Sequence, residues 1–297
     1  MGVQRWLLKH VLSGLELHES AFAYRTGRSV RDCAEIHVGA RWIVKMDLHD
    51  FFGSIGERQV YREFLGLGYP PLLAFEMGRI CTTPTSFDAE AEWLEGRGVE
   101  RYGSPQLGSL PQGAPTSGAL ANAVARELDD RLALLAQDHR MQYTRYSDDI
   151  VFSSSAPFDR ERAAALVRRV EEAARRSKFE VHRRKTRIVS PGARKVVLGL
   201  VVHDEGVRLR PEFRRRLQDH VRCVALYGPA AHARTRGFRS ALSMINYVEG
   251  AIAYARDIEP AWGRELFCSW SQALTLHGHP MSVRNIKTAP RAEQGYC

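Results

Sequence analysis

The chain has 297 residues, 44% hydrophobic and 26% charged, enough for a sizeable core or for two or three small lobes. No run reaches the ~18–20 apolar residues of a membrane span, and Met1–His10 has an apolar patch without a signal-peptide core, so a cytosolic protein with no membrane partner is expected. The net charge of +9 and pI of about 9.5 favour a polyanionic partner, although a basic run is often only a solvated face.

In chain order, the segment up to about Ala40 reads as a helix followed by loop. Arg41–Leu48 (RWIVKMDL) is a short apolar run, β-branched at its centre, that suits a buried strand. Gly56–Gly66 and Pro71–Cys81 read as helices, and Thr82–Leu110 as a loop punctuated by Gly, Pro and Ser. Pro115 opens an Ala- and Leu-rich helix, Thr116–Ala136, since proline suits a first helical turn. Met141–Ser154 reads as two strands around a tight turn at Ser147-Asp148, and Asp159–Ser177 as an amphipathic helix. Phe179–Ser190, Arg194–Val202 and Gly206–Leu209 are strand candidates. Beyond Pro211 the pattern is helical, through Arg222, Arg239–Ala255 and Trp262–Leu276. The order predicts an α+β domain with helices on one face of a small antiparallel sheet, and a boundary near 205–211.

The chemistry concentrates on carboxylates. Asp47 ends the apolar strand, and Asp148 and Asp149 sit at the hairpin tip. Placed together, they could hold two Mg²⁺ ions, one activating a 3′-hydroxyl and one neutralising a triphosphate and its leaving pyrophosphate. Asp47 and Asp148 are the expected principal ligands, with Asp149 weaker. A solvated Asp-Asp turn would carry the same tetrapeptide, so the weight falls on the surrounding segments. Phe51-Phe52 follows Asp47, and one ring must be core. Phe52 is the candidate gate that would clash with a ribose 2′-hydroxyl and favour dNTPs. Leu110-Pro111-Gln112-Gly113 precedes the Ala-rich helix. Gln112 could touch the nucleotide, and Gly113 permits close backbone approach. Gly118, Ala119, Ala121 and Ala123 would let that helix lie close under a template.

Lys185 could protonate or stabilise a pyrophosphate, while Arg183, Arg184 and Arg187 beside it equally suit a basic face on backbone phosphates. Arg28 or Arg31 could clamp the triphosphate, with Lys45 a third candidate, and His37 reads as structural. Between Arg160 and Arg239 the sequence has 22 Lys and Arg against 8 Asp and Glu. Within that stretch Arg214, Arg215, Arg216 and Arg222 are expected to grip nucleic acid. Cys33, Cys81, Cys223, Cys268 and Cys297 form no C-x-x-C pair, which argues against a zinc knuckle or a disulfide framework.

Taken in order, these segments resemble the reverse transcriptases. Asp47-Leu48-His49-Asp50-Phe51-Phe52 is similar to their motif A, Leu110–Ser117 to motif B, Tyr146-Ser147-Asp148-Asp149 to motif C and Lys185-Thr186 to motif D. Within that superfamily the chain resembles the bacterial retron group. Cys33-Ala34-Glu35-Ile36-His37 is similar to its N-A-x-x-H element, with Cys33 in place of Asn. Val197-Leu198-Gly199 is similar to V-T-G, with Leu198 in place of Thr, and Ser147 replaces the commoner Ala of Y-A-D-D. The length, without maturase, endonuclease or RNase H extension, also suits that group.

The resemblance implies a right-hand polymerase fold, with fingers and palm in residues 1–210 and a helical thumb in 211–297. It implies RNA-directed DNA synthesis from dNTPs on a dedicated structured non-coding RNA. It further implies priming from an RNA 2′-hydroxyl to give a branched RNA–DNA product, and an effector or toxin partner in anti-phage defence. Diversity-generating, CRISPR-linked and other defence-associated reverse transcriptases share these motifs, and a non-catalytic RNA-binding scaffold could keep the fold. The complete carboxylate set argues against the scaffold, and Phe52 argues against an RNA polymerase.

Overall fold

A computed structural model describes residues 2–84, 108–156 and 158–279. The chain forms two compact units, Met1–Leu198 and Gly199–Cys297. In the first, helix α1 (Gly2–His10) and a short helix α2 (Val30–Glu35) precede strand β1 (Trp42–Asp47). Helices α3 (Glu57–Gly66) and α4 (Pro71–Cys81) follow. The loop expected after α4 has its two ends paired as strands, β2 (Thr83–Pro84) and β3 (Gly108–Ser109). The rest of that loop lies outside the described residues.

The predicted Thr116–Ala136 helix is two helices, α5 (Ser117–Val124) and α6 (Arg126–Asp138), because ψ of −1° at Ala125 takes the backbone off the helical path. The hairpin follows as β4 (Gln142–Tyr146) and β5 (Asp149–Ser154), then helix α7 (Arg160–Arg176). Asp159 caps α7 by accepting from the Arg162 amide at 2.8 Å. Ala163, Leu166, Val170, Ala173 and Ala174 form its buried stripe.

The main sheet is four-stranded and antiparallel, in the order β4–β5–β1–β6, with β6 at Arg187–Val189. Strand geometry alternates side chains between faces. Val44 and Met46 of β1 and Ile150 and Phe152 of β5 therefore enter the large core, with Leu120, Leu128, Leu132, Leu166 and Val170 from the helices. Asp47, Lys45 and Ile43 take the opposite face, with Asp149, Val151 and Ser153 beside them by register. The carboxylates thus stand on the face turned away from the principal core.

Phe179–Ser190 is not one strand. Val181 bridges Leu48, and Arg187–Val189 pairs with Lys45–Ile43. Between these contacts the chain tightens into a 3₁₀ turn at Arg183–Lys185. Arg194–Val202 is also interrupted, because consecutive left-handed residues Leu198 (φ 48°) and Gly199 (φ 84°) end the short strand Val196–Val197.

The second unit opens with an antiparallel pair, Leu200–His203 with Gly206–Arg208. Helices α8 (Pro211–Thr235), α9 (Ala241–Ile258) and α10 (Pro260–Thr275) complete it. The Leu209 amide donates to Glu259 at 2.8 Å, so the strand pair belongs to the helical unit. Helix α8 kinks at Gly228-Pro229, where Gly228 adopts φ 79° and ψ 160°, a backbone region open essentially to glycine.

Candidate active site

The hairpin register builds the site. Tyr146 pairs with Asp149 and closes a two-residue turn, Ser147-Asp148, with Ser147 at φ 58°. Asp149 lies directly opposite Asp47 on β1. The Leu48 amide donates to the Asp148 carbonyl at 2.9 Å, tying the tip to the end of β1. On the other edge the His182 amide donates to the Asp47 carbonyl at 2.7 Å. The 3₁₀ turn then brings the Lys185 Nζ to Asp47 Oδ1 at 2.8 Å. Residues from three separated segments therefore meet: Asp47, the Asp148-Asp149 tip and Lys185.

Their electrostatics are coupled. Burial pushes the Asp149 carboxyl up. Lys45 pulls it back down, Asp148 and Asp47 push it further up, and Lys185 opposes them. The hydrogen bond to Asp47 holds the Lys185 ammonium above its ordinary value. Facing carboxylates of this kind favour a bound cation, and their oxygens are the hard donors Mg²⁺ takes. Among the described residues, no three His, Cys, Asp or Glu side chains already converge into a cluster that could hold a metal ion. The fit therefore lies in donor chemistry, and a metal ion on Asp47 Oδ1 would take the place of the Lys185 ammonium.

A buried network holds the turn from below. Arg145 and Asp129 form an ion pair at 2.6 Å with both side chains 0% exposed. Arg145 Nε and Nη2 donate to the two Asp129 oxygens, and Nη1 donates to the Ser147 carbonyl and to Asn122 Oδ1, both at 3.0 Å. Tyr143 adds a donor to Asp129 at 2.6 Å, and the Arg145 guanidinium lies over the Phe51 ring. His37, fully buried, places Nδ1 2.7 Å from Ser153 Oγ and Nε2 2.7 Å from Thr144 Oγ1. It joins the segment after α2 to the back of the hairpin, the structural role its sequence context suggests. Cys33 packs there too, its thiol donating to Thr144, and burial raises its pKa to about 11.

The remaining sequence candidates divide. Phe51 is the core ring, and Phe52 is half-buried beside it. Gln112 and Gly113 are exposed, with Gly113 at φ 87°. Gly118, Ala119, Ala121 and Ala123 are buried within the protein itself, with Gly118 under the Tyr24 ring. Arg28 stacks on Phe22, and Arg31 pairs with Glu35 on its own helix. Arg183 makes a two-pronged pair with Glu171, and Arg187 donates to the Arg184 carbonyl. Arg214 pairs with Glu259 and lies over Trp262, whereas Arg215, Arg216 and Arg222 are exposed. Tyr24, Asn122, Asp129 and Arg145 were not singled out from the sequence. Arginine and aspartate on elements this amphipathic look like surface residues until the pairing is known.

A profile of the family described as reverse transcriptase (RNA-dependent DNA polymerase) matches residues 3–223. The retron Mx162 reverse transcriptase of Myxococcus xanthus is 37% identical over 68% of this chain and 42% of its own length. The retron Mx65 enzyme of the same organism is 32% identical over 89% of this chain and 57% of its own length. The chain thus spans about half the length of these relatives. It spans 76% of the retron Ec73 reverse transcriptase of Escherichia coli, at 30% identity over 87% of this chain. Among solved structures, telomerase from Candida albicans in complex with a telomeric RNA fragment aligns over 98% of this chain and 58% of its own, with TM-score 0.46 and 10% identity. The α+β architecture carries the acidic residues on a small antiparallel sheet. The chain belongs to the reverse transcriptase family, in its retron group.

Proposed function

We propose that the protein is an RNA-directed DNA polymerase that copies a dedicated structured RNA into single-stranded DNA. The observation that carries this reading is the register setting Asp47 opposite Asp149, with Asp148 at the tip and Lys185 on Asp47. Asp47, Asp148 and Asp149 would hold the divalent cations, for which Mg²⁺ suits the oxygen donors. When bound, such a pair supplies activation of the attacking hydroxyl and neutralisation of the leaving pyrophosphate. Lys185, held protonated by Asp47, is set to place positive charge at the leaving group, and could give it a proton only after leaving Asp47. Phe52 presents the ring against which a ribose 2′-hydroxyl would clash, and Gln112-Gly113 offers an exposed loop to the nucleotide. In this reading residues 1–210 act as fingers and palm and 211–297 as thumb. Arg28, Arg31, Arg183, Arg184 and Arg187 are candidates for triphosphate or template phosphate, although Arg31 and Arg183 must first leave their glutamate partners.

From the resemblance to the retron group we further propose priming from a 2′-hydroxyl of the cognate RNA, a branched RNA–DNA product, and an effector protein in phage defence. The test is expression with the native upstream region, followed by denaturing electrophoresis of co-purified nucleic acid with and without RNase, beside the Asp148→Ala/Asp149→Ala variant. A discrete DNA band that shifts with RNase and is absent in the variant is expected. RNA alone in both samples would overturn the self-primed reading. DNA synthesis undiminished in the variant would overturn the carboxylate assignment.

A further inference from the structure

Tyr24 touches two of the chain's motif segments and the helix that follows a third, and is assigned by none of them. The residue is 54% exposed although the backbone around it is tightly held. Ala23 accepts from the buried Asn122 side chain at 2.7 Å, and Arg25 Nη1 donates to the His18 and Ala21 carbonyls. The Phe22 amide donates to the Arg145 carbonyl at 2.9 Å. Between these anchors Tyr24 adopts φ 58°, a left-handed conformation that costs a bulky residue energy and persists only where the surroundings impose it. The strain aims the ring at one place. Its edge meets Phe52, with centroids 6.0 Å apart and planes at 63°. Its Cγ would lie 2.3 Å from a Cβ at position 118, so only glycine at the start of α5 admits it. Its hydroxyl shares a hydrogen bond with Ser147 Oγ at 3.2 Å, at the turn that carries Asp148.

We propose that Tyr24 is a nucleotide-binding residue: with Phe52 it forms the surface against which the sugar of the incoming nucleotide packs, and Ser147 fixes its position. This rests on the polymerase reading above. With its hydroxyl held by Ser147, the ring offers a sugar only apolar surface. Such a surface accepts a 2′-methylene and penalises a 2′-hydroxyl that loses water without gaining a partner. Ser147, the residue that departs from the family's alanine, gives this chain a latch that an alanine could not provide.

The test is primer extension on an RNA template with dNTP and rNTP titrations. It uses the wild type, Tyr24→Phe, Ser147→Ala, the double variant, Tyr24→Ala and the Asp148→Ala/Asp149→Ala reference. Tyr24→Phe and Ser147→Ala each remove the same hydrogen bond. Each should raise the KM for dNTP about three- to fivefold, with kcat held within about twofold. The double variant should be no worse than either single one. Tyr24→Ala should lower selectivity for dNTP over rNTP about tenfold, a change that a merely structural role would not produce. Unchanged KM and selectivity, effects that add in the double variant, or a loss confined to kcat would overturn the assignment. Wild-type extension that vanishes in the aspartate reference upholds the polymerase reading whatever the Tyr24 variants do. A wild type that extends nothing overturns that reading and this one with it.

Discussion

At the scale of single residues, what the sequence disclosed followed from chemistry. Aspartates placed after apolar strands are conspicuous because a carboxylate at a strand end needs a reason. A tyrosine in a loop is not conspicuous, and the left-handed backbone that makes Tyr24 informative is invisible in its letter. His37 was legible as structural, but its partners were not, since Thr144 and Ser153 lie more than a hundred residues away in the chain. Its burial carries a measurable consequence. Desolvation lowers its pKa from 6.5 to about 4. Between those values the unfolded chain binds the proton and the folded chain does not, so stability falls as pH drops through that window and is complete above 6.5. From pH 7.5 to pH 5 the loss from this group is about 2 kcal/mol. Urea unfolding at both pH values should show His37→Gln losing about that much less than the wild type, although the variant starts less stable. His220 is also depressed to about 4, and His232 in the same direction. Both chains keep them, so the difference isolates His37, and equal losses in the two chains would discard the attribution.

At the scale of elements, helical periodicity located α3, α4 and α7 because each buries one face at that spacing, whereas β1 and the hairpin were legible as short apolar runs buried on both faces. It failed where tertiary partners override local pattern. The Phe179–Ser190 run has β-branched residues near both ends that suggest one strand, yet its basic centre forms the 3₁₀ turn that brings Lys185 to Asp47. The α5–α6 break at Ala125 carries no proline or glycine to announce it. What binds α6 to β4 is the buried Asp129–Arg145 pair, which the sequence hides because its members are 16 residues apart on different elements. Removing one partner of a buried ion pair strands the other without water. Asp129→Ala should therefore cost about 3–5 kcal/mol, read as a lower urea midpoint. The freed guanidinium also holds the Ser147 carbonyl, so activity per folded molecule should fall too. A loss below about 1 kcal/mol would mean that the network contributes little to holding the turn.

At the scale of the whole molecule, the uneven basic excess was plain in the sequence, but which arginines are free to meet a polyanion was not. In the helical unit Arg214 is committed to Glu259 and Trp262, whereas Arg215 and Arg222 are exposed on α8. They lie seven residues apart, close to two helical turns, and so share one face. Phosphate contacts release counterions, and each contact adds roughly 0.7–0.9 to the slope of log affinity against log salt. An RNA or hybrid duplex is engaged mainly through its backbone, shape and 2′-hydroxyls. Neutralising these two should therefore weaken binding broadly across sequences and leave any base preference intact. The Arg215→Gln/Arg222→Gln variant should bind an RNA–DNA hybrid with a slope shallower by about 1.5, measured by fluorescence anisotropy between low and moderate salt. Neutralising Arg214 instead should act mainly through folding, because it removes an internal partner of Glu259. An unchanged slope in the Arg215/Arg222 variant would place the nucleic-acid path on another face of the protein.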